Sequence, residues 1–143
     1  MAAIHAASFA RGWDEDTMAA MMRDDMVQAD GLFPPGASDS PAGFALSRCV
    51  LDEAEVLTIA LAPRWRGRGL SAPLLAAHLQ GLRRRGVRTV HLEVEEGNAP
   101  ARRLYERFGF ETVGERKGYY AGPAGERLNA ILMSLALPDI DAQ

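Results

Sequence analysis

Glu55-Val56-Leu57-Thr58-Ile59-Ala60-Leu61-Ala62-Pro63-Arg64-Trp65-Arg66-Gly67-Arg68-Gly69-Leu70-Ser71-Ala72-Pro73-Leu74-Leu75 is the stretch whose reading decides the fold. Residues 55–61 are rich in β-formers, and Pro63 ends them. The glycines and arginines that follow read as a loop. Leu70, Leu74, Leu75, Leu79 and Leu82 then recur at helical spacing, with Pro73 tolerated in the first turn. The start of a helix leaves backbone N–H groups without partners and carries the positive end of the helix dipole. Glycines just ahead of it let the chain approach a phosphate closely, so the passage suits a pyrophosphate. A tight strand-to-helix turn would use the same glycines, and these residues alone leave both readings open.

Upstream, residues 43–50 form a second β-rich run, separated from the first by Leu51-Asp52-Glu53-Ala54 in the manner of an antiparallel hairpin. Residues 30–41 hold three Pro, two Gly and two Ser around Leu32 and Phe33, which predicts a loop or a broken edge strand. Two short amphipathic helices are expected to open the chain. The first carries Ile4, Ala7 and Phe9; the second is capped by Asp14 and uses Met18, Met21, Met22 and Met26 as core filler. Downstream, Gly86 stops the central helix. Residues 87–95 then alternate, with Val90, Leu92 and Val94 on one side and His91, Glu93 and Glu95 on the other. Asn98 is a good cap for a further helix, with Pro100 in its first turn and Ala101, Leu104, Tyr105 and Phe108 along one face, closed by Gly109. Residues 110–120 and 128–137 complete the strands, joined by a turn containing Gly122-Pro123-Ala124-Gly125. This order predicts an α/β (α+β) protein, a mixed sheet with helices on its faces.

A length of 143 residues fits a single domain over 1–143, and a hydrophobic fraction of 48% supports a sizeable core. The net charge of −3 excludes a nucleic-acid coat held by charge alone, and no direct nucleic-acid partner is expected. No apolar run reaches about 18 residues, and the start lacks a basic segment followed by an apolar one. A cytoplasmic protein with no membrane partner is the expectation. Cys49 is the only cysteine, which excludes an internal disulfide. His5, His78 and His91 show no metal-ligand spacing, so no metal is expected; His78 reads as a partly buried structural residue among helix leucines, and Cys49 as inert.

Charge is unevenly spread. Residues 1–62 carry ten Asp or Glu against three Arg, whereas residues 64–107 carry ten Arg against four Glu. The planar fork of Arg suits phosphate, so a phosphorylated ligand in the second half is one reading and a solvated arginine face is the other. Gly67, Gly69 and Ala72 also fit the dinucleotide fingerprint G-x-G-x-x-A, with Glu93 at the end of the next strand. The hairpin pairing before it and the lack of repeated βα units argue against that fold.

The run from Glu55 through Pro63 to Ser71 resembles motif A of the GNAT acetyltransferases, [Q/R]-x-x-G-x-[G/A]. Arg64-x-x-Gly67-x-Gly69 satisfies it literally, but the distance from Pro63 and the helical leucines favours Arg66-x-x-Gly69-x-Ser71. Leu92-Glu93-Val94-Glu95-Glu96-Gly97-Asn98-Ala99-Pro100-Ala101, then Leu104-Tyr105-Glu106-Arg107-Phe108-Gly109-Phe110, then Gly118-Tyr119-Tyr120, is similar to the RimI-type ribosomal-protein-alanine N-acetyltransferases, as is Leu51-Asp52-Glu53-Ala54-Glu55. The resemblance covers residues 43–137, with a weaker match at 8–13. The sequence departs from the pattern in a first strand that is missing or short at Met1, in an atypical stretch 30–41, and at Asn129, where relatives commonly place Asp.

The resemblance implies a GNAT fold, with a mostly antiparallel sheet splayed around an acetyl-CoA cleft. It implies that the backbone of Ile59, Ala60 and Leu61 holds the pantetheine arm. It further implies that Arg66, Gly67, Arg68, Gly69, Leu70, Ser71 and Ala72 cradle the pyrophosphate, and that Asn98 contacts the cofactor. It casts Glu93 as general base acting through an ordered water, and Tyr105 as general acid to the departing thiolate. The acceptor it implies is a protein N-terminal α-amine, above all the N-terminal alanine of a small-subunit ribosomal protein. Taken without the resemblance, Glu93 reads as a solvated strand residue and Tyr105 as a packing residue. A GNAT enzyme acting on a small-molecule amine or a lysine side chain, and a CoA-binding module without turnover, are the other classes.

Overall fold

The computed structural model describes residues 23–35, 41–122 and 124–138. The two opening helices, and the resemblance at 8–13, lie outside the described residues apart from Met26, which stands in a turn ahead of the first strand. The elements are β1 (Val27–Leu32), β2 (Gly43–Val50), β3 (Glu53–Leu61), a short 3-10 turn (Pro63–Trp65), α1 (Ser71–Arg84), β4 (Thr89–Glu95), α2 (Ala99–Arg107), β5 (Glu111–Ala121) and β6 (Arg127–Ala136). They build one sheet of six strands in the order β1-β2-β3-β4-β6-β5. Every neighbouring pair is antiparallel except β3 with β4.

Three boundaries differ from the sequence reading, each for a physical reason. Of the two readings offered for residues 30–41, a loop or a broken edge strand, residues 30–32 take the second: they complete β1 at the sheet edge, which pairs with β2 from Val27↔Arg48 to Leu32↔Gly43. Its sequence, VQADGL, has few β-formers, so the partner strand rather than local propensity makes it a strand. The hairpin turn is Leu51-Asp52 alone, because Leu51 takes up a left-handed φ of 56° and the ladder resumes at Val50↔Glu53. Val87 and Arg88 precede β4: Val87 bonds back to the end of α1, and Arg88 N–H donates to Asp52 O in the hairpin turn. At the helix end Gly86, at φ 93°, donates to Arg83 O and Val87 N–H donates back to Leu82 O, the paired bonds that close a helix on a glycine.

The core lies between the helices and one face of the sheet. Leu75, Leu79 and Leu82 of α1 meet Val90, Leu92 and Val94 of β4, with Ile131 and Met133 of β6 and Phe110. Burying each such side chain contributes about 1.5–3 kcal/mol. His78 is fully buried in α1, more so than its sequence suggested. Its Nε2 lies 2.7 Å from Ser47 Oγ and its Nδ1 2.6 Å from Asp30 Oδ2, while Gln28 Nε2 donates to Asp30 and to the His78 carbonyl. This polar set ties edge strand β1 to α1 and β2, so the edge is pinned by a side chain that does not itself line the cleft.

The feature that positions the site is where β3 leaves β4. The two strands pair only at Glu53↔Thr89, Ala54↔Val90 and Glu55↔His91. Immediately afterwards β3 carries a bulge: Ser47 pairs with Val56 and Leu46 with Thr58, leaving Leu57 unmatched. A bulge bends and twists its strand. From Val56 onward β3 diverges from β4, and its facing backbone edge opens on a gap through the sheet.

Candidate active site

That gap is the mouth of a cleft of about 1050 Å³. One wall is β3 from Val56 to Leu61; the other is β4 from Leu92 to Glu95, with Asn98, Ala101, Leu104 and Tyr105 of α2. At one end it meets Arg66, Gly69, Ser71 and Ala72. No side chain caps α1 and no acidic residue stands in its first turn, so the Ser71 and Ala72 amides keep the positive helix end uncancelled. Gly67 and Gly69 have φ of 75° and 72°, which glycine adopts without strain. A Cβ at either would meet nothing within 4 Å, so the loop surface is open to a ligand. A built anion-binding end, an unladdered strand edge, and the buried Thr58 Oγ1 without a hydrogen-bond partner all suit an extended phosphorylated ligand.

Of the residues proposed for the phosphate loop, Arg66, Gly69, Ser71 and Ala72 line the cleft, whereas Gly67, Arg68 and Leu70 do not. Arg68 and Arg64 instead lie over the Trp65 ring, their guanidinium carbons 5.1 and 4.8 Å from its centroid. Trp65 is buried and anchors the loop. The geometry therefore places the Arg66-x-x-Gly69-x-Ser71 register, not the literal one, on the cleft wall. Ile59, Ala60 and Leu61 line it as well, and so does Asn98, whose Oδ1 accepts from Ala101 N–H as helix cap.

Glu93 and Tyr105 enter from opposite sides. Strand alternation turns Val94 toward the helix face and Glu93 away from it. Glu93 Oε1 is 3.3 Å from Arg116 of β5. Tyr105 stands on the buried side of α2, where Gly109, at φ 97°, closes the helix and Phe110 N–H donates back to Tyr105 O. The two rings meet edge to face at 5.6 Å, so the tyrosine is held by packing while it also lines the cleft. Burial pushes its phenol up to about 12, keeping it protonated.

Residues 1–110 match the acetyltransferase (GNAT) family. The chain belongs to that family. A ribosomal protein bS18-alanine N-acetyltransferase of Haemophilus influenzae is 45% identical over 95 residues, which span 66% of this chain and 64% of that one, a little under two thirds of the relative's length. The crystal structure of the ribosomal-protein-S18-alanine N-acetyltransferase of Escherichia coli superposes with a TM-score of 0.85 at 33% identity, over 99% of this chain and 90% of the other. At 21% identity, the Arabidopsis thaliana NAA60 complex with acetyl-CoA shares the fold, with a TM-score of 0.79 over 95% and 90% of the chains.

Within this GNAT domain the sequence reading overlooked Tyr120, Glu95 and Thr58, all of which line the cleft. Tyr120 is half-buried; burial raises its phenol first, and then the nearby Glu93 carboxylate raises it further. Arg103 and Arg107, one turn apart on α2, also reach the cleft, a signal present in the arginine-rich charge block but not separable there from a solvated face. Cys49 is buried, and desolvation raises its thiol despite the opposing charge of Arg85, consistent with an inert residue. Among the described residues no group of three metal-ligating side chains converges, and no helix is long and apolar enough to cross a membrane.

Proposed function

We propose that this GNAT protein transfers the acetyl group of acetyl-CoA to a protein N-terminal α-amine in the cytoplasm, the acceptor being the N-terminal alanine of a small-subunit ribosomal protein. One arrangement carries the reading. Glu93 and Tyr105 approach the same gap in the sheet from its two faces, so a donor entering from the helix side and an amine entering from the other meet between a carboxylate and a phenol. The names of the relatives favour the alanine acceptor.

Acetyl-CoA supplies an acetyl group activated as a thioester. In the proposed mechanism the Ser71 and Ala72 amides, the Gly69 backbone and Arg66 hold its pyrophosphate. The free edge of β3 at Ile59, Ala60 and Leu61 holds the pantetheine arm, and Asn98 contacts it from α2. An α-amino group titrates near pH 8, so only a modest base is needed to make it nucleophilic. Glu93 takes that proton through a water, and a backbone N–H of β3 donates to the carbonyl oxygen as negative charge develops there. Tyr105, protonated at physiological pH, delivers a proton to the departing thiolate sulfur.

The test is mass spectrometry of a reaction between acetyl-CoA and a peptide with N-terminal Ala and an internal Lys. The expected product carries one acetyl on the α-amine, is lost in Glu93→Gln and slows in Tyr105→Phe. Acetylation of the lysine overturns the acceptor class, and turnover of small amines alone does the same. Binding of acetyl-CoA without transfer to any amine overturns the enzyme reading.

A further inference from the structure

Asn129 stands at the centre of a polar junction in which each of its polar groups is engaged. Its Oδ1 accepts from Gly118 N–H at 2.9 Å. Its Nδ2 donates to Glu115 Oε1 at 2.8 Å and to Glu96 Oε2 at 3.3 Å. Its backbone N–H donates to Glu96 Oε1 at 3.0 Å, and its carbonyl accepts from Glu96 N–H at 2.9 Å. The residue thereby joins the end of β4, β6 and the middle of β5.

The β5 segment it holds is irregular. Arg116 pairs with Ala130 and Tyr120 with Leu128, so Lys117, Gly118 and Tyr119 all span the single residue Asn129. Gly118 turns this bulge at a φ of 63°. Pairing parity shows what the bulge achieves. Glu93, Glu95, Arg116 and Tyr120 lie opposite Leu132, Ala130, Ala130 and Leu128 of β6, and hence share one sheet face, the side on which Glu93 stands. Asn129 and Glu115 belong to the other face and do not line the cleft. Arg116 reaches Glu93 at 3.3 Å while its guanidinium lies 5.1 Å from the Tyr119 ring centroid, and Tyr120 lines the cleft beside them.

We propose that Asn129 is a positioning residue for the acceptor: its side chain latches the three-residue bulge of β5, and the bulge holds Arg116 and Tyr120 against Glu93 where the amine is received. The proposal rests on the reading of Glu93 as the acceptor-side base. It also explains why the amide stands here. Both donors of Nδ2 go to carboxylates, so a carboxylate at 129 would lose both bonds and place a third negative charge beside Glu96 and Glu115.

The experiment is a donor–acceptor exchange. Asn129→Asp keeps an acceptor for Gly118 but repels the two glutamates; adding Glu115→Gln returns a donor to the junction. Expected for Asn129→Asp is a fall of about tenfold in kcat/KM for the acceptor, with the acetyl-CoA Kd within about twofold of wild type and the double variant within about threefold. Amide exchange at Gly118 should be faster by about tenfold in Asn129→Ala. An unchanged acceptor kcat/KM in Asn129→Asp, an equal loss of acetyl-CoA binding, or no rescue by Glu115→Gln overturns the latch. If wild type acetylates an amine other than an α-amine, the acceptor reading fails and the latch is judged on that amine. If it acetylates none, unchanged Gly118 exchange in Asn129→Ala overturns the latch and faster exchange upholds its structural half.

Discussion

Tyr105→Phe removes one oxygen from a buried ring and leaves the edge-to-face contact with Phe110 in place. Its effects on activity and on stability should therefore separate. With the proton donor gone, kcat should fall by about a hundredfold or more. Near neutral pH the fold should be as stable as wild type to within about 1 kcal/mol, since only the hydroxyl oxygen is removed and the ring packing survives. The pH dependence gives the sharper check. Burial raises the phenol from 10.0 to about 12, so the folded chain holds this proton more tightly than the unfolded one. The stability that Tyr105 confers is complete below pH 10 and declines as pH rises toward 12. Two units correspond to about 2.7 kcal/mol in full and to about 1.4 kcal/mol at pH 11. Urea unfolding of both proteins at about pH 8 and about pH 11 measures the difference, because every other titrating group is common to the two. Wild type should lose about 1.4 kcal/mol more than the variant between those conditions. Parallel losses would refute the desolvated tyrosine, and an undiminished kcat would refute its role as acid.

Asp30 is held below its ordinary value of 3.8, chiefly by the hydrogen bond from His78. Its contribution to stability is present above that value and is lost as pH falls through the lower, folded one; urea midpoints of Asp30→Asn across acidic pH should lack this component, and identical acid profiles would show that the His78 junction does not stabilise the edge strand. Gly69→Ala forces a side chain into a φ of 72° where nothing crowds it, so the cost is backbone strain of about 1–2 kcal/mol. Calorimetry should find weaker acetyl-CoA binding with a largely unchanged acceptor KM, and unaltered binding would remove the loop from the phosphate site.

Much was determined by the sequence alone, and for local reasons. The passage from β3 through Gly69 into the leucine face of α1 is written in short-range signals: a proline stop, glycines where φ must be positive, and apolar residues at helical spacing. The alternation that turns Glu93 away from Val94, and the Asn98 cap that starts the helix of Tyr105, are of the same kind. Strand β1 was legible only in part, as one of two readings at residues 30–32, because a sequence with few β-formers became a strand by pairing along β2. The two readings of Tyr105, packing and cleft residue, could not be separated either, since both the Phe110 contact and the cleft come from its position against other elements. Which motif register lines the cleft depended on Trp65 capturing Arg64 and Arg68, and the bulge on β5 depended on Asn129 reaching Gly118 and two glutamates. The gap itself is tertiary: β3 and β4 are joined by a helix crossover, and only their pairing reveals that the ladder stops at Glu55. Periodicity and caps act within a few residues and can be read from the chain, whereas a cleft forms where distant strands fail to meet.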